Sequence, residues 1–386
     1  MGWAVTVGYR LPPPMAGSLC LGGIVSAKEP NQAQLGLGAW AIGGSDWGSP
    51  QDESTSRRTI ALAVERGITF FDTAPTYGDS ELLLGRELGP KRDQVTLATK
   101  CGPLDDPSDS LEESLRRLQT DYVDLLQLHE VGPDFEGSLE KLDRLRREGK
   151  ARAIGLCNAS ASQLVKAHEM VALDTYQAPY NLFDREAEQR HIPFCRKHGL
   201  DFLAYRPLAS GMLTTRFASA SPPTFPEGDH RRMIWWFKGQ ELSRRLEVIE
   251  RLSKLAADQA MTLSAFSLKW VLSRPGMAVV LAGARTPEQL EENLSARDGL
   301  LDPERVSAVD EAVFQVFRPA LAMEHALAEA AGWEPRERFI VEHLDGLTSC
   351  DSIAAEWSDG SEPALMGAQV RQFVDQLQAA GMVEFR

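Results

Sequence analysis

Eight short apolar runs, each followed by a stretch with helical spacing, succeed one another between Gln34 and Leu294, and few folds can hold such a chain. The runs are Gln34–Trp40 (broken by Gly36 and Gly38), Ile68–Phe71, Val95–Thr99, Val123–Leu128, Ala151–Leu156, Thr175–Gln177, Asp201–Tyr205 and Ala278–Leu281. Helical patterns fill the intervals: Asp52–Arg66, Glu81–Leu88, Ser110–Leu118, Leu139–Arg147, Gln163–Met170 and Glu186–Lys197. Two more, Gln240–Ala257 and Leu263–Leu272, precede the eighth run, and Pro287–Leu294 follows it. The runs are rich in Val, Leu, Ile and Phe, as strands buried on both faces must be. Eight consecutive βα units in one domain predict an α/β fold, a closed (β/α)8 TIM barrel. An open doubly wound sheet would carry G-x-G-x-x-G directly after its first strand, and Gly36-Leu-Gly38 supplies only half of that pattern.

The barrel is expected over residues 34–319, behind a Pro- and Gly-bearing lead-in at 1–33. Residues 320–386 read as a small helical module, with helical stretches at Leu321–Ala331, Arg336–Leu344, Ile353–Trp357 and Ala368–Ala380. The formal net charge of −14 opposes binding of nucleic acid or an anionic membrane by the surface as a whole. No run of about 18 uninterrupted apolar residues predicts a transmembrane helix. Met1–Arg10 lacks the basic start and apolar core of a signal peptide, so a cytoplasmic location is expected. The five cysteines (Cys20, Cys101, Cys157, Cys195, Cys350) are scattered without C-x-x-C spacing and read as reduced thiols. The seven histidines show no H-x-H or H-x-x-x-H spacing, so no metal is expected.

Four titratable residues follow consecutive runs. Asp72 and Tyr77 come after the second, Lys100 after the third, and His129 after the fourth. On a barrel, the ends of successive strands face one shared pocket. A tyrosine gives up a proton near neutrality only if its pKa of about 10 is brought down. A neighbouring ammonium does this by stabilising the phenolate, and Lys100 is the available cation. A buried lysine needs a counter-ion, which Asp72 can supply. His129 can donate a hydrogen bond to a carbonyl oxygen and orient it. The set suits reduction of a carbonyl. A Schiff-base lyase with Lys100 as nucleophile uses the same parts and stays open at this point.

Hydride has to come from a cofactor, and the later strand ends offer groups for one. Asn158 and Gln177 end the fifth and sixth runs with amides able to hold a carboxamide, and Tyr205 ends the seventh with a ring that could stack on nicotinamide. Gly283-Ala-Arg-Thr286 leads into a helix whose N-terminus favours phosphate, with Arg285 adding charge.

Several segments carry a resemblance. They are Leu35-Gly-Leu-Gly-Ala-Trp40, Phe71-Asp-Thr-Ala-Pro-Thr-Tyr-Gly78, Ala98-Thr-Lys100, Leu126-Gln-Leu-His129 and Ile154-Gly-Leu-Cys-Asn158. Tyr176-Gln-Ala-Pro-Tyr-Asn181, Ala204-Tyr-Arg-Pro-Leu208 and Gly283-Ala-Arg-Thr-Pro-Glu-Gln-Leu-Glu-Glu-Asn293 follow in order. Residues 35–315 thereby resemble the aldo-keto reductases. The resemblance implies Tyr77 as general acid, Lys100 and Asp72 as its tuners, and His129 as the carbonyl-positioning group. It implies a nicotinamide cofactor, NADPH before NADH, held by Gly38, Trp40, Asn158, Gln177, Tyr205, Pro207, Leu208 and Gly211. At the adenosine end it implies Gly283, Arg285, Gln289, Glu292 and Asn293.

The chain also departs from the family. Cys157 stands where a serine is usual, which predicts one weaker cofactor hydrogen bond. The insertion Thr214–Gly239 resembles the family's mobile cofactor loop, and its Trp235 and Trp236 are expected to line the substrate pocket with Trp40 and Trp47. The tail resembles a small winged-helix or PqqD-like peptide-binding module. The partner expected throughout is a small carbonyl or alcohol. Two alternatives remain: a slow-turnover cofactor-binding sensor or scaffold, as among potassium-channel β-subunits, and a pathway reductase whose tail docks a peptide or carrier-bound substrate.

Overall fold

The structure is a computed structural model that describes residues 33–44, 46–48, 51–217 and 224–317, with the backbone of the last helix continuing to Ala330. The lead-in, the tail beyond Ala330 and the module expected there lie outside the described residues.

Eight parallel strands close into a barrel in sequence order. They are β1 (Gln34–Gly38), β2 (Phe70–Asp72), β3 (Thr96–Cys101), β4 (Val123–Leu128), β5 (Ala151–Cys157), β6 (Thr175–Pro179), β7 (Asp201–Tyr205) and β8 (Met277–Gly283). The helices are α1 (Trp40–Gly43), α2 (Glu53–Glu65), α3 (Ser80–Leu88), α4 (Pro107–Leu118), α5 (Phe135–Arg147) and α6 (Ala161–Val171). After them come α7 (His191–His198), α8 (Gly239–Ala257), α9 (Leu263–Leu272), α10 (Pro287–Leu294) and α11 (Pro303–Ala330). Among the described residues, no helix is long and apolar enough to cross a membrane.

Helix starts follow from local chemistry. Asp52, Asp106, Thr262 and Thr286 each accept a hydrogen bond from a backbone N–H in the first turn of the helix that follows. Ser160 and Gln163 form a reciprocal capping box on α6. The helix expected over Glu186–Lys197 is split into a 3-10 turn at Glu186–Glu188 and α7 from His191. Pro193 has no N–H and is tolerated only in a first turn, so the helix restarts just ahead of it.

The interior of the barrel is filled by Phe70, Ala98, Leu125, Ala153, Leu203, Val279 and Leu281, drawn from six strands. The larger apolar layer lies between strands and helices and includes Val309 and Val313 of α11. That helix runs without a break across the boundary expected at 319/320. Its Asp310 accepts from Arg185 at 3.0 Å, Arg274 at 3.0 Å and the Trp270 indole at 3.1 Å, tying it to the barrel body.

Candidate active site

The plugged interior makes a floor, and the polar residues just above it are the four expected at the strand ends. Lys100 is fully buried, and its Nζ donates to Asp72 Oδ1 at 2.6 Å and to the Thr73 carbonyl at 2.8 Å. The Tyr77 ring centroid lies 5.0 Å from the same Nζ. His129 Nε2 is 3.5 Å from the Tyr77 hydroxyl, and Asn158 Nδ2 donates to the His129 carbonyl at 3.0 Å.

The turn that presents Tyr77 depends on two glycines. A Cβ on Gly43 would lie 2.1 Å from Ser80 N and 2.2 Å from the Tyr77 carbonyl, so α1 can approach the turn only without a side chain. Gly78, at φ +58°, faces Gly43 from the other side, where a Cβ would lie 2.3 Å from the Gly43 carbonyl. The Asp79 N–H donates to that carbonyl at 2.8 Å. Behind the turn, Arg117 donates to the Gly78 carbonyl and pairs with buried Glu81 at 3.1 Å.

Burial works against the Lys100 charge, but Asp72 foremost, and Tyr77 and Cys157 beside it, together outweigh that and hold the lysine above its ordinary value. The Tyr77 phenol behaves differently from the expectation. Burial raises its pKa, Lys100 opposes the rise, and the net direction is upward, because the hydroxyl loses more solvation than the nearby ammonium returns. Burial first and Lys100 second push the His129 imidazole down to about 4, so the ring is neutral at neutral pH.

Above this floor opens a cavity of about 400 Å³. Asp72 and Tyr77 line it, as do Gly38, Trp40, Trp47, Gln177, Tyr205, Pro207, Leu208 and Gly211. Gly283, Arg285, Gln289, Glu292 and Asn293, from the end of β8 through α10, line it as well. Asn158 is not on the wall itself, but its Oδ1 accepts from the Tyr205 hydroxyl at 2.8 Å. The Arg285 guanidinium donates to the Trp47 carbonyl at 3.2 Å and to Gln51 Oε1 at 3.1 Å. Trp47 also bridges to Asp229, strapping the first loop to the insertion after β7.

Trp235 and Trp236 do not line this cavity, which corrects the expectation for them. The 3-10 turn at Trp235–Phe237 buries Phe237 against Phe217 and Phe225 and leaves its two neighbours half-buried beside arginines. Trp235 sits over the Arg245 guanidinium at 5.1 Å, and Trp236 lies 5.9 Å from that of Arg206. The aromatic wall is instead Trp40 and Trp47, with ring centroids 5.1 Å apart, and His230 packs against both at 4.6 and 4.4 Å.

The walls also contain groups that the sequence did not single out, among them Arg206, Ser210, Arg231 and Ser264. The hydroxyls of Ser210 and Ser264 are buried without a hydrogen-bond partner. No sequence signal marks Ser264 beyond its place in the first turn of α9. The unpaired hydroxyls and the arginines suit the phosphates of a ligand, and the aromatic side chains beside them suit a flat ring. A nicotinamide dinucleotide meets that description.

Comparison with known proteins gives the same reading. The chain matches the Aldo/keto reductase family over residues 34–313. It is 38% identical over 279 residues to the aldo-keto reductase YhdN of Bacillus subtilis (strain 168), spanning 67% of this chain and 83% of that protein. The NADH-specific methylglyoxal reductase of Escherichia coli (strain K12) is 33% identical over 295 residues, 68% of this chain and 89% of the relative. Among solved structures, a glycerol dehydrogenase from Gluconobacter oxydans superposes with a TM-score of 0.67 and 33% identity, over 74% of this chain and 92% of that one. An aldo-keto reductase from Klebsiella pneumoniae in complex with NADPH gives 0.56 and 26%, over 72% and 89%. The family match ends before residue 320, and nothing in these comparisons supports a winged-helix or PqqD-like module. The chain belongs to the aldo/keto reductase family and is an NAD(P)H-dependent oxidoreductase.

Proposed function

We propose that this enzyme interconverts a small carbonyl compound and its alcohol, with Tyr77 exchanging the proton and NADPH preferred over NADH. The observation that carries the reading is the buried Asp72–Lys100 pair directly beneath the Tyr77 ring, with His129 beside the phenol. When bound, the nicotinamide exchanges the hydride, which no side chain can supply.

The remaining steps belong to the chain. The carbonyl oxygen sits between the Tyr77 hydroxyl and the neutral His129 ring, whose N–H holds it in place. As negative charge develops on that oxygen, Tyr77 transfers its proton, and Lys100 stabilises the phenolate left behind. Asp72 keeps Lys100 charged and aimed. Lys100 is the tuner here and not a Schiff-base nucleophile, because its ammonium is buried in an ion pair and held in the charged form. Asn158, Gln177 and Tyr205 hold the nicotinamide end. Gly283, Gln289, Glu292 and Asn293 hold the adenosine end, where Arg285 gives a 2′-phosphate a cation. The Klebsiella structure was solved with NADPH, whereas the Escherichia coli relative is NADH-specific, so the preference is a point to measure.

The test is a screen of small aldehydes and ketones with both cofactors, with Tyr77→Phe alongside. Turnover is expected with NADPH ahead of NADH, and Tyr77→Phe should lose about 10²–10⁴-fold in kcat. Undiminished turnover in that variant overturns the mechanism.

A further inference from the structure

The buried Asp72 carboxylate has more partners than Lys100. Its Oδ2 accepts from Gln127 Nε2 at 3.2 Å and from Gln177 Nε2 at 3.0 Å. An ionised carboxylate only accepts, so both amides must turn their nitrogens toward it. The second Gln177 hydrogen goes to Gln127 Oε1 at 3.2 Å. That same oxygen accepts from the Cys157 thiol at 3.5 Å. Both Nε2 hydrogens of Gln177 are therefore spent inside the barrel, and the atom it has left for the cavity is an acceptor. Gln127 is fully buried, level with Lys100 on one side and Gly155 on the other. A Cβ on Gly155 would lie 3.1 Å from Gln127 Cγ, so the glycine leaves the amide its room.

We propose that Gln127 is a positioning residue of this site, which shares Asp72 with Gln177, keeps that carboxylate a counter-ion for Lys100, and sets Gln177 to present its oxygen to the carboxamide. The proposal rests on the reading of Tyr77 and Lys100 given above. It also assigns a part to Cys157, whose thiol donates inward to Gln127.

The groups that face position 127 are Asp72 from β2, Lys100 and Cys101 from β3, Cys157 from β5 and Gln177 from β6, with Tyr77 above Lys100. Two variants separate positioning from packing. Gln127→Met keeps the volume and removes both polar ends. It should lower kcat/KM about tenfold at every pH, the loss expected for one hydrogen bond to a charge. It should also weaken NADPH binding several-fold, read by quenching of tryptophan fluorescence. Gln127→Glu keeps the shape. Protonated, it still donates to Asp72; ionised, it repels it. Its kcat/KM should stay near wild type at the acid end and fall about tenfold or more as pH rises toward 8.

Wild-type kcat/KM, NADPH affinity and pH profile in both variants overturn the proposal, as does a pH-independent loss in Gln127→Glu. If Gln127→Met does not fold, the isosteric Gln127→Glu decides. Tyr77→Phe, run in parallel, separates the two readings. If it turns over normally, the mechanism itself fails. If it is inert while both Gln127 variants behave as wild type, only the role of Gln127 falls.

Discussion

Burial, with Lys100 adding to it, lowers the His129 imidazole from its ordinary value to about 4. Between about pH 4 and 6.5 the unfolded chain binds a proton at this residue that the folded chain does not. The His129 contribution to stability is thus complete above about 6.5 and declines as pH falls through that window. The same shift keeps the ring neutral, as the proposed hydrogen bond to the substrate requires, so reduction should show no acid limb from His129 near pH 6.5. Rates of wild type and His129→Gln across pH 5 to 7.5 check this. The variant, which cannot titrate there, should be slower but share the shape of the profile. A limb near pH 6.5 that disappears in the variant would show that the ring charges in the working range. The four residues at this site were legible because each follows an apolar run that could only be a barrel strand. Gln127 was visible too, as a polar residue inside such a run, but its meaning was not. Its partners Asp72 and Gln177 are 55 and 50 residues away and meet it only once the barrel closes.

Among the elements, the Tyr77 turn is held from outside itself. Gly43 of α1 and Gly78 of the turn meet backbone to backbone, and Arg117 of α4 secures the Gly78 carbonyl from behind. Gly43→Ala forces a Cβ into the Tyr77 carbonyl, and the turn must move. Overpacking of this kind costs about 1–3 kcal/mol. The larger effect belongs to catalysis, where a displacement of about 1 Å can cost on the order of 10²-fold. The expected result is a folded protein with kcat/KM reduced about that much, checked by steady-state kinetics beside a melting curve. Unaltered kinetics would mean that Tyr77 is not placed through this contact. The start at Leu263 behind the Thr262 cap was legible, whereas the helix capped by Asp106 begins three residues ahead of the expected Ser110, and the break ahead of Pro193 was read through as one helix. The aromatic cluster at Trp235–Phe237 had no such marker. All three rings are apolar in sequence, and tertiary packing alone decides that Phe237 takes the buried place while its neighbours face the arginines.

For the whole molecule, the question is where the enzyme ends. Among the described residues, all those that line the cavity lie between Gly38 and Asn293, within the stretch that ends at α10. The body nevertheless extends further. Val309 and Val313 are part of the core, and Asp310 carries the hydrogen bonds of two arginines and an indole. Removing α11 would leave Arg185 and Arg274 half-buried without that carboxylate and uncover an apolar stripe of the barrel. Truncation after Ala330 should therefore keep NADPH affinity and small-carbonyl turnover within about twofold, whereas truncation after Leu301 should yield no cooperative melting transition. The first truncation also tests what the tail does. If residues 331–386 recruit a carrier-bound or peptide-linked substrate, their loss should raise KM for that substrate and leave a free aldehyde untouched, since the free aldehyde needs only the cavity. An equal loss on both substrates would instead make the tail part of the barrel's own stability, and the docking role would fall with it.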